Sequence, residues 1–391
     1  MMFIKRIRKF RTKGTFGCIG VLFLLSAFQM HSSMNKVNLG IKQRSGDICQ
    51  KYKTTEKRTL NGFVVRRENH LLYYCDVPKC GSAFMNALFR EAFSCNDCYY
   101  KKVNMAYKRK KYNYVKQKIE NSTYSFMFVR EPYSRLFATF ENKLYCPNEL
   151  WQRLGTDVVR VVRKNATSLS KQFGHDVTFA ELVEYVVTLF EHDWRLNIHL
   201  APMHTRCDPC YIKFNFIGKL EKMTDNIITL AEMWRKNGIK VDFESSVDVK
   251  ELELKHKRDM GPITHMFTTL SRSPELSRYD LFQRLWSSYQ IRGLILNEQK
   301  MPFREDLVNG IDNVMYELAV KEAIEQSSNN VTALNNQRKE ALIKAYRTVP
   351  MEHMLRLRNV LKTDCELFGY DDMPQALFNR STSVNVIMEN T

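Results

Sequence analysis

From Leu71 onward, short apolar runs alternate with longer amphipathic stretches. Leu71–Val77 and Tyr124–Val129 are almost continuously apolar and short enough to be buried strands. The pattern after them predicts helices over Ser82–Phe93 and from about Pro132 to Leu144. Pro132 suits a first helical turn, where its missing N–H breaks no helical bond. Tyr211–Ile217 alternates and then meets Gly218, which predicts a strand. Glu221–Lys236 predicts a helix, with Gly238 as its stop. Residues 304–347 read as charged helix interrupted at Ser327-Ser328-Asn329-Asn330. Strands that alternate with helices predict an α/β fold, with a parallel sheet flanked by helices.

The N-terminal region follows a different pattern. Residues 1–13 carry Lys5, Arg6, Arg8, Lys9, Arg11 and Lys13 and no acid, and residues 14–30 carry no charge. As a helix the uncharged stretch would be ~26 Å long, which suits a thin secretory membrane. Basic residues ahead of it predict a cytosolic N-terminus, a transmembrane signal anchor over 14–30 and a lumenal chain beyond. A cleaved signal peptide is the competing reading. Residues 31–67 are polar without an apolar period and read as a lumenal stem. The folded domain is then expected over 68–375, with a loose tail over 376–391.

Cysteines and glycosylation triplets fit a lumenal address. Asn121-Ser122-Thr123, Asn165-Ala166-Thr167, Asn330-Val331-Thr332 and Asn379-Arg380-Ser381 are acceptor patterns. Ten cysteines are present, nine of them beyond the apolar segment. An oxidising lumen favours disulfides, and an odd number leaves a free thiol or a link to another chain. Cys80 is a candidate for the free one. Cys95-x-x-Cys98 and Cys207-x-x-Cys210 lie too far apart for a compact zinc site, so local or mutual disulfides are the better reading and no metal is expected.

The formal net charge of +18 points to a polyanionic partner. Lys101–Lys118 concentrates Lys101, Lys102, Lys108, Arg109, Lys110, Lys111, Lys116 and Lys118, with Tyr107, Tyr112 and Tyr114 interleaved. In a cytosolic protein such a segment could bind nucleic acid. Behind a membrane anchor an anionic glycan is the expected partner and nucleic acid is not. A plain solvated basic face is the simpler alternative.

Two turns carry the chemistry. Pro78-Lys79-Cys80-Gly81-Ser82 follows the first strand, and Arg130-Glu131-Pro132 follows the second. Gly81 permits a tight path. A helix N-terminus with a lysine beside it is an anion site. Arginine at the second turn can grip a phosphate with two parallel bonds. Taken singly, an ordinary lysine turn and a surface Arg130–Glu131 pair would explain both. Together they suit a ligand with two separated phosphates. The Gly-Lys-[Ser/Thr] ending of a Walker loop is missing.

These segments resemble the two halves of the donor site of sulfotransferases. Pro-Lys-x-Gly-Ser is similar to their 5'-phosphosulfate loop, and Phe128-Val129-Arg130-Glu131-Pro132 through Arg135-Leu136 to their 3'-phosphate motif. Three further stretches are similar to blocks of the Golgi carbohydrate sulfotransferases that act on chondroitin, dermatan or terminal glucuronic acid and N-acetylgalactosamine. They are His199-Leu200-Ala201-Pro202 to Cys207-Asp208-Pro209-Cys210, Phe216-Ile217-Gly218-Lys219-Leu220-Glu221 and Asp364-Cys365-Glu366-Leu367-Phe368-Gly369-Tyr370. The five blocks keep the family's order over about residues 70–372.

The resemblance implies a P-loop-like sulfotransferase fold and a Golgi membrane protein with a lumenal catalytic domain. It implies 3'-phosphoadenosine 5'-phosphosulfate as co-substrate and a glycan hydroxyl as acceptor, on chondroitin or a glycoprotein glycan. Donor contacts are then expected from Pro78, Lys79, Cys80, Gly81, Ser82, Ala83, Phe84, Arg130, Ala138 and Thr139. Lys79 would stabilise the leaving phosphate. His199 is the first candidate base, His175 the second and Glu141 the third. The family commonly has a hydroxyl at the position of Ala83 and a serine at that of Ala138. Ser82 and Thr139 stand next to those positions, although one helical position is a rotation of ~100°. A membrane-tethered glycan-binding protein without turnover and a nucleotide-dependent transferase of another kind, such as a kinase, are the competing functions; the missing Walker lysine and the lack of an obvious carboxylate site for magnesium weigh against the latter. The acceptor sugar and the oligomeric state are not legible.

Overall fold

The computed structural model describes residues 48–50, 59–67, 69–92, 99–106, 124–147, 150–241, 260–269 and 275–380, with isolated positions between. The expected cytosolic tail and anchor, most of the stem, Cys95, Cys98, residues 107–116 of the basic segment and residues 381–391 lie outside the described residues. Among the described residues no helix is long and apolar enough to cross a membrane.

Among the described residues five strands form one mixed sheet: β1 (Thr59–Arg67), β2 (His70–Cys75), β3 (Tyr99–Ala106), β4 (Tyr124–Val129) and β5 (Phe216–Lys219). Their order is β3-β1-β2-β4-β5. β2, β4 and β5 are parallel, whereas β1 pairs antiparallel with both β2 and β3. The expected parallel sheet is therefore its functional half only. β1 also draws Thr59–Arg67, assigned above to the stem, into the sheet. Its core-facing signal is brief, with Phe63 and Val65 buried on one face.

The helices bounded within the described residues are α1 (Ser82–Ala92), α2 (Pro132–Phe140), α3 (Leu150–Val162), α4 (Ser168–Phe173), α5 (Phe179–Glu191), α6 (Met223–Lys236), α7 (Gly261–Thr269), α8 (Arg278–Ile291), α9 (Asn313–Ser327), α10 (Val331–Arg347), α11 (Met351–Phe368) and α12 (Gln375–Phe378). α1 and α6 cover one sheet face, where Trp234 meets Phe126 edge-on and Phe89 leans on both. The other face is covered by the segment before β5, with Phe214 stacked on Tyr73. A second core joins α2, α3, α5, α10 and α11, and a third forms around α8 and α9. Leu377 and Phe378 are buried in the second core, so residues assigned to a loose tail close the fold.

β5 is shorter than its apolar alternation predicts. Asn215 Oδ1 accepts from Ser125 N at 2.7 Å, and Ser125 Oγ donates to the Lys213 carbonyl at 2.8 Å. Side chains thus take bonds that a longer ladder would use.

Among the described residues two disulfides form, Cys49–Cys210 and Cys75–Cys207. The Cys207-x-x-Cys210 pair is therefore not bridged locally; each member reaches a distant strand or helix. Among the described residues Cys80, Cys146 and Cys365 are buried thiols outside these two disulfides. Cys75–Cys207 closes a span of 132 residues. Removing such a link costs roughly 2–5 kcal/mol. Cys207→Ser should lower stability by that amount in non-reducing urea titrations, and Cys75→Ser/Cys207→Ser by no more; an unchanged midpoint would contradict the pairing.

Candidate active site

The parallel register places the carboxyl ends of three strands side by side, with Cys75 opposite Met127 and Val129 opposite Lys219. In open α/β sheets, ligands bind outside such ends. The loop after β2 turns sharply. Lys79 has φ +67° and Gly81 φ +84°. A Cβ on Gly81 would lie 2.5 Å from Met223 Cε and 3.1 Å from Leu220 Cδ1, so a side chain there clashes as well as straining the backbone. A lysine with positive φ is sparsely populated and is held by its surroundings. Cys80 N closes the turn on the Val77 carbonyl at 3.2 Å. α1 starts directly after it, leaving its first N–H groups without helical partners.

The Lys79 ammonium donates to Asn142 Oδ1. Asn142 comes from a π-helical turn, Glu141–Tyr145, that continues α2. Burial is the main cause that pulls Lys79 down to about 7, and Lys143 adds repulsion. Glu141 opposes the shift, while Arg292 and Arg130 add to it. Half-burial among three basic neighbours and one carboxylate makes this a place that favours an incoming anion.

Arg130 leaves the end of β4, and its Nη1 donates to the Lys79 carbonyl at 3.4 Å. Burial first, and then Arg338 of α10, bring it down to about 10. Glu131 is not its surface ion-pair partner. It caps α2, accepting from Tyr133 N at 3.0 Å and Ser134 N at 2.6 Å. Arg135 is 3% exposed. It donates from Nε to the Pro78 carbonyl at 3.0 Å and from Nη1 to the Ala201 carbonyl at 2.9 Å.

The later blocks converge on this point. Glu221 accepts from the Glu131 amide at 2.7 Å and the Tyr370 hydroxyl at 3.0 Å. Lys219 Nζ donates to the Gly369 carbonyl at 3.0 Å and sits 4.0 Å over the Tyr370 ring. Asp364 is buried and accepts from Met203 N at 2.6 Å, His204 N at 2.9 Å and His204 Nδ1 at 2.7 Å. The C-terminal block therefore anchors the turn that follows His199.

Several expected contacts fall elsewhere. Thr139 is fully buried, and its hydroxyl is shared between the Arg135 carbonyl at 3.1 Å and the His199 carbonyl at 3.0 Å. It cannot replace the missing serine at a phosphate. Ala138 is half-buried, on the helical row that runs from Ser134 to Asn142. Phe84 packs in the sheet core, while Ala83 is exposed. The Ser82 hydroxyl donates to the Val77 carbonyl at 3.0 Å, which spends its proton on the turn. Cys80 is buried beside Met203, and burial pushes its thiol up to about 12. Pro78 contributes through its carbonyl to Arg135.

His199 is half-buried beside Lys79 and Lys143. Burial first and then those cations push it down to about 3, and its Nδ1 is buried without a partner. Glu141 is not available as a base: it is buried and accepts from Arg292 Nε at 2.9 Å and from the Ser288 hydroxyl. His175 lies between α4 and α5, where its carbonyl accepts from Arg284 at 2.7 Å. Asn142, Lys143, Arg135 and Arg338 are site neighbours that the apolar pattern did not single out. Only Arg135 carried a signal, as the second arginine of the β4 motif.

Residues 61–295 match the model of the sulfotransferase family. Carbohydrate sulfotransferase 8 of Mus musculus is 27% identical over 287 residues, 70% of this chain and 66% of that protein. Carbohydrate sulfotransferase 14 of Danio rerio is 35% identical over 109 residues, 28% of this chain and 29% of that protein. Carbohydrate sulfotransferase 11 of Rattus norvegicus is 34% identical over 104 residues, 26% of this chain and 30% of that protein. The matched segments thus span from 29% to 66% of the length of these relatives. No solved structure matches. With the paired strand-end turns and more than half of the residues matched, the chain belongs to the sulfotransferase family.

Proposed function

We propose that this chain transfers a sulfuryl group from 3'-phosphoadenosine 5'-phosphosulfate to a hydroxyl of an anionic glycan, such as chondroitin or a glycoprotein glycan. The observation that carries the reading is Lys79 on its left-handed turn, among cations, with Arg130 on the neighbouring strand end. The relatives' names supply the carbohydrate. A Golgi lumenal domain behind the anchor of residues 14–30 completes the proposal.

The chain's residues fit such a donor. The backbone around Gly81 leaves a Cβ-free approach, and the start of α1 offers N–H groups for a 5'-phosphate. The bound donor supplies an activated sulfuryl group whose leaving group is a phosphate. Lys79 neutralises the charge that develops there, which is worth most in a site shielded from water. Arg130 binds the 3'-phosphate. His199 is neutral at working pH and so is in the right state to accept the acceptor's proton. Its low affinity for that proton reflects burial and Lys143 and Lys79, whose charges a bound donor offsets.

One observation favours a second reading, a glycan-binding protein without turnover. Neither Ala138 nor Thr139 presents a free hydroxyl donor to a 3'-phosphate. Transfer of labelled sulfate from the donor to desulfated chondroitin decides between them, and donor binding without transfer to any glycan would support the second. In that assay Lys79→Ala should lower kcat by about 10²–10³-fold, the scale of losing one transition-state charge partner. Activity near that of the parent would remove Lys79 from the mechanism.

The pH dependence has a definite sign. Lys79 is charged below about 7 in the free protein and neutral above it. Rate at low donor concentration, kcat/KM, should therefore fall as pH rises through about 7. The limb in kcat should lie at higher pH, because bound phosphate favours the ammonium. Coincident limbs would contradict this. Ala138→Ser should tighten donor binding by about 10-fold or more, the scale of one hydrogen bond to a charged group, read by calorimetry.

A further inference from the structure

We infer that the turn between α5 and His199 is an acceptor platform, with Trp194 stacking on a sugar ring and Arg195 pairing with an acidic group of the glycan. The inference rests on the glycan-acceptor reading above and names the chain's own recognition surface for it.

Scattered exposed apolar residues are ordinary on protein surfaces. Here three large ones fall between Phe190 and Ile198: Phe190 is 42% exposed, Trp194 55% and Ile198 46%. The tryptophan is presented on a braced turn. Its amide donates to the Leu189 carbonyl at 2.8 Å, and its ring leans on His192 at 5.0 Å. His192 is itself bonded through Nδ1 to the Thr188 carbonyl at 2.8 Å. Asp193, with φ +51°, makes the chain reversal before it. The end of α5 is pinned by the paired bonds of Arg356 to Glu191, at 2.8 and 2.6 Å. A fixed aromatic plate loses little conformational freedom when a ligand covers it.

Charge points the same way. Arg195 is exposed and pairs with no carboxylate among the described residues. Glu191, one of the two nearby acids, is taken up by Arg356. A planar guanidinium beside an aromatic ring matches a sugar that carries a carboxylate or sulfate.

Position completes the case. Four residues lie between Trp194 and His199, five steps along the chain and a reach of at most ~18 Å. The same strand of chain is tied to the lysine turn. Arg135 bonds the Ile198 and Ala201 carbonyls at 3.5 and 2.9 Å and the Pro78 carbonyl at 3.0 Å. A glycan lying on Trp194 and Arg195 would extend along this chain towards His199 and Lys79.

The test uses the full chain and two readouts, sulfate transfer and calorimetric binding of a desulfated chondroitin hexasaccharide. Trp194→Ala should raise the acceptor KM and the hexasaccharide Kd about tenfold, the scale of losing a central aromatic anchor, while the donor KM stays unchanged. Trp194→Phe should restore most of the binding. Arg195→Gln should weaken binding and flatten its salt dependence. Parent-like acceptor KM and Kd in Trp194→Ala and Arg195→Gln, with normal transfer by the parent, would overturn the platform and leave the transferase reading standing. Loss of binding in the variants of a parent that binds but never transfers would support the platform and sink the transferase reading. A parent that binds no hexasaccharide overturns the platform.

Discussion

Arg135 is 3% exposed, and carbonyl oxygens of Pro78, Ala201 and Ile198 receive its guanidinium in place of a carboxylate. Burying a charge is costly unless its hydrogen bonds are satisfied. Here three oriented peptide dipoles meet that requirement, and they belong to two separate loops. The cation therefore fixes the distance between the lysine turn and the His199 turn from within α2. A carboxylate partner would have satisfied the charge without joining the loops. Because α2 is set by Glu131 and Pro132 at the end of β4, the whole arrangement inherits its register from one parallel strand pair.

The chemistry depends on a second imbalance. Lys79, Lys143, Arg130, Arg292 and Arg338 gather where Glu141, Glu221 and Glu131 are the opposing acids, and all three already accept bonds. The downward shifts of Lys79 and Arg130 begin with burial and are deepened by neighbouring cations. Such a site is stabilised by an anion that enters, since the anion relieves repulsion already present in the fold. The π-helical turn makes this crowding possible. It turns Glu141 towards Arg292 while delivering Asn142 to Lys79, which a continuing α-helix would space differently.

Much of this fold could be read along the chain, and the misses have physical reasons. β4 and the start of α2 matched the apolar run and Pro132, because a central strand buried on both faces has an unmistakable composition. β1 was hidden in apparent stem, because an antiparallel strand near a sheet edge shows alternation over few residues. Tyr211–Ile217 promised a longer strand than β5, since the competing bonds of Asn215 and Ser125 join residues distant in sequence. At the site, Lys79 and Arg130 were visible at strand ends. Asn142, Lys143 and Arg338 were not, because a π-turn and a remote helix bring them there. The loss of Glu141 as a base was equally invisible, since its partners Ser288 and Arg292 come from α8 and its C-terminal cap.

Thr139 shows how a hydroxyl can be kept and yet change its work. A serine at position 138 would sit on the half-buried row that leads from Ser134 to Asn142. The hydroxyl of this chain is one residue later, turned by ~100° into the core. There it bonds the carbonyl of His199 and that of Arg135. The shift removes a donor from the face expected to meet a phosphate and adds a tie between α2 and the chain that leads back to Trp194. Arg135 already joins that chain to the lysine turn. The two side chains, four residues apart on one helix, therefore make α2 the common support of the lysine turn and of the chain around His199.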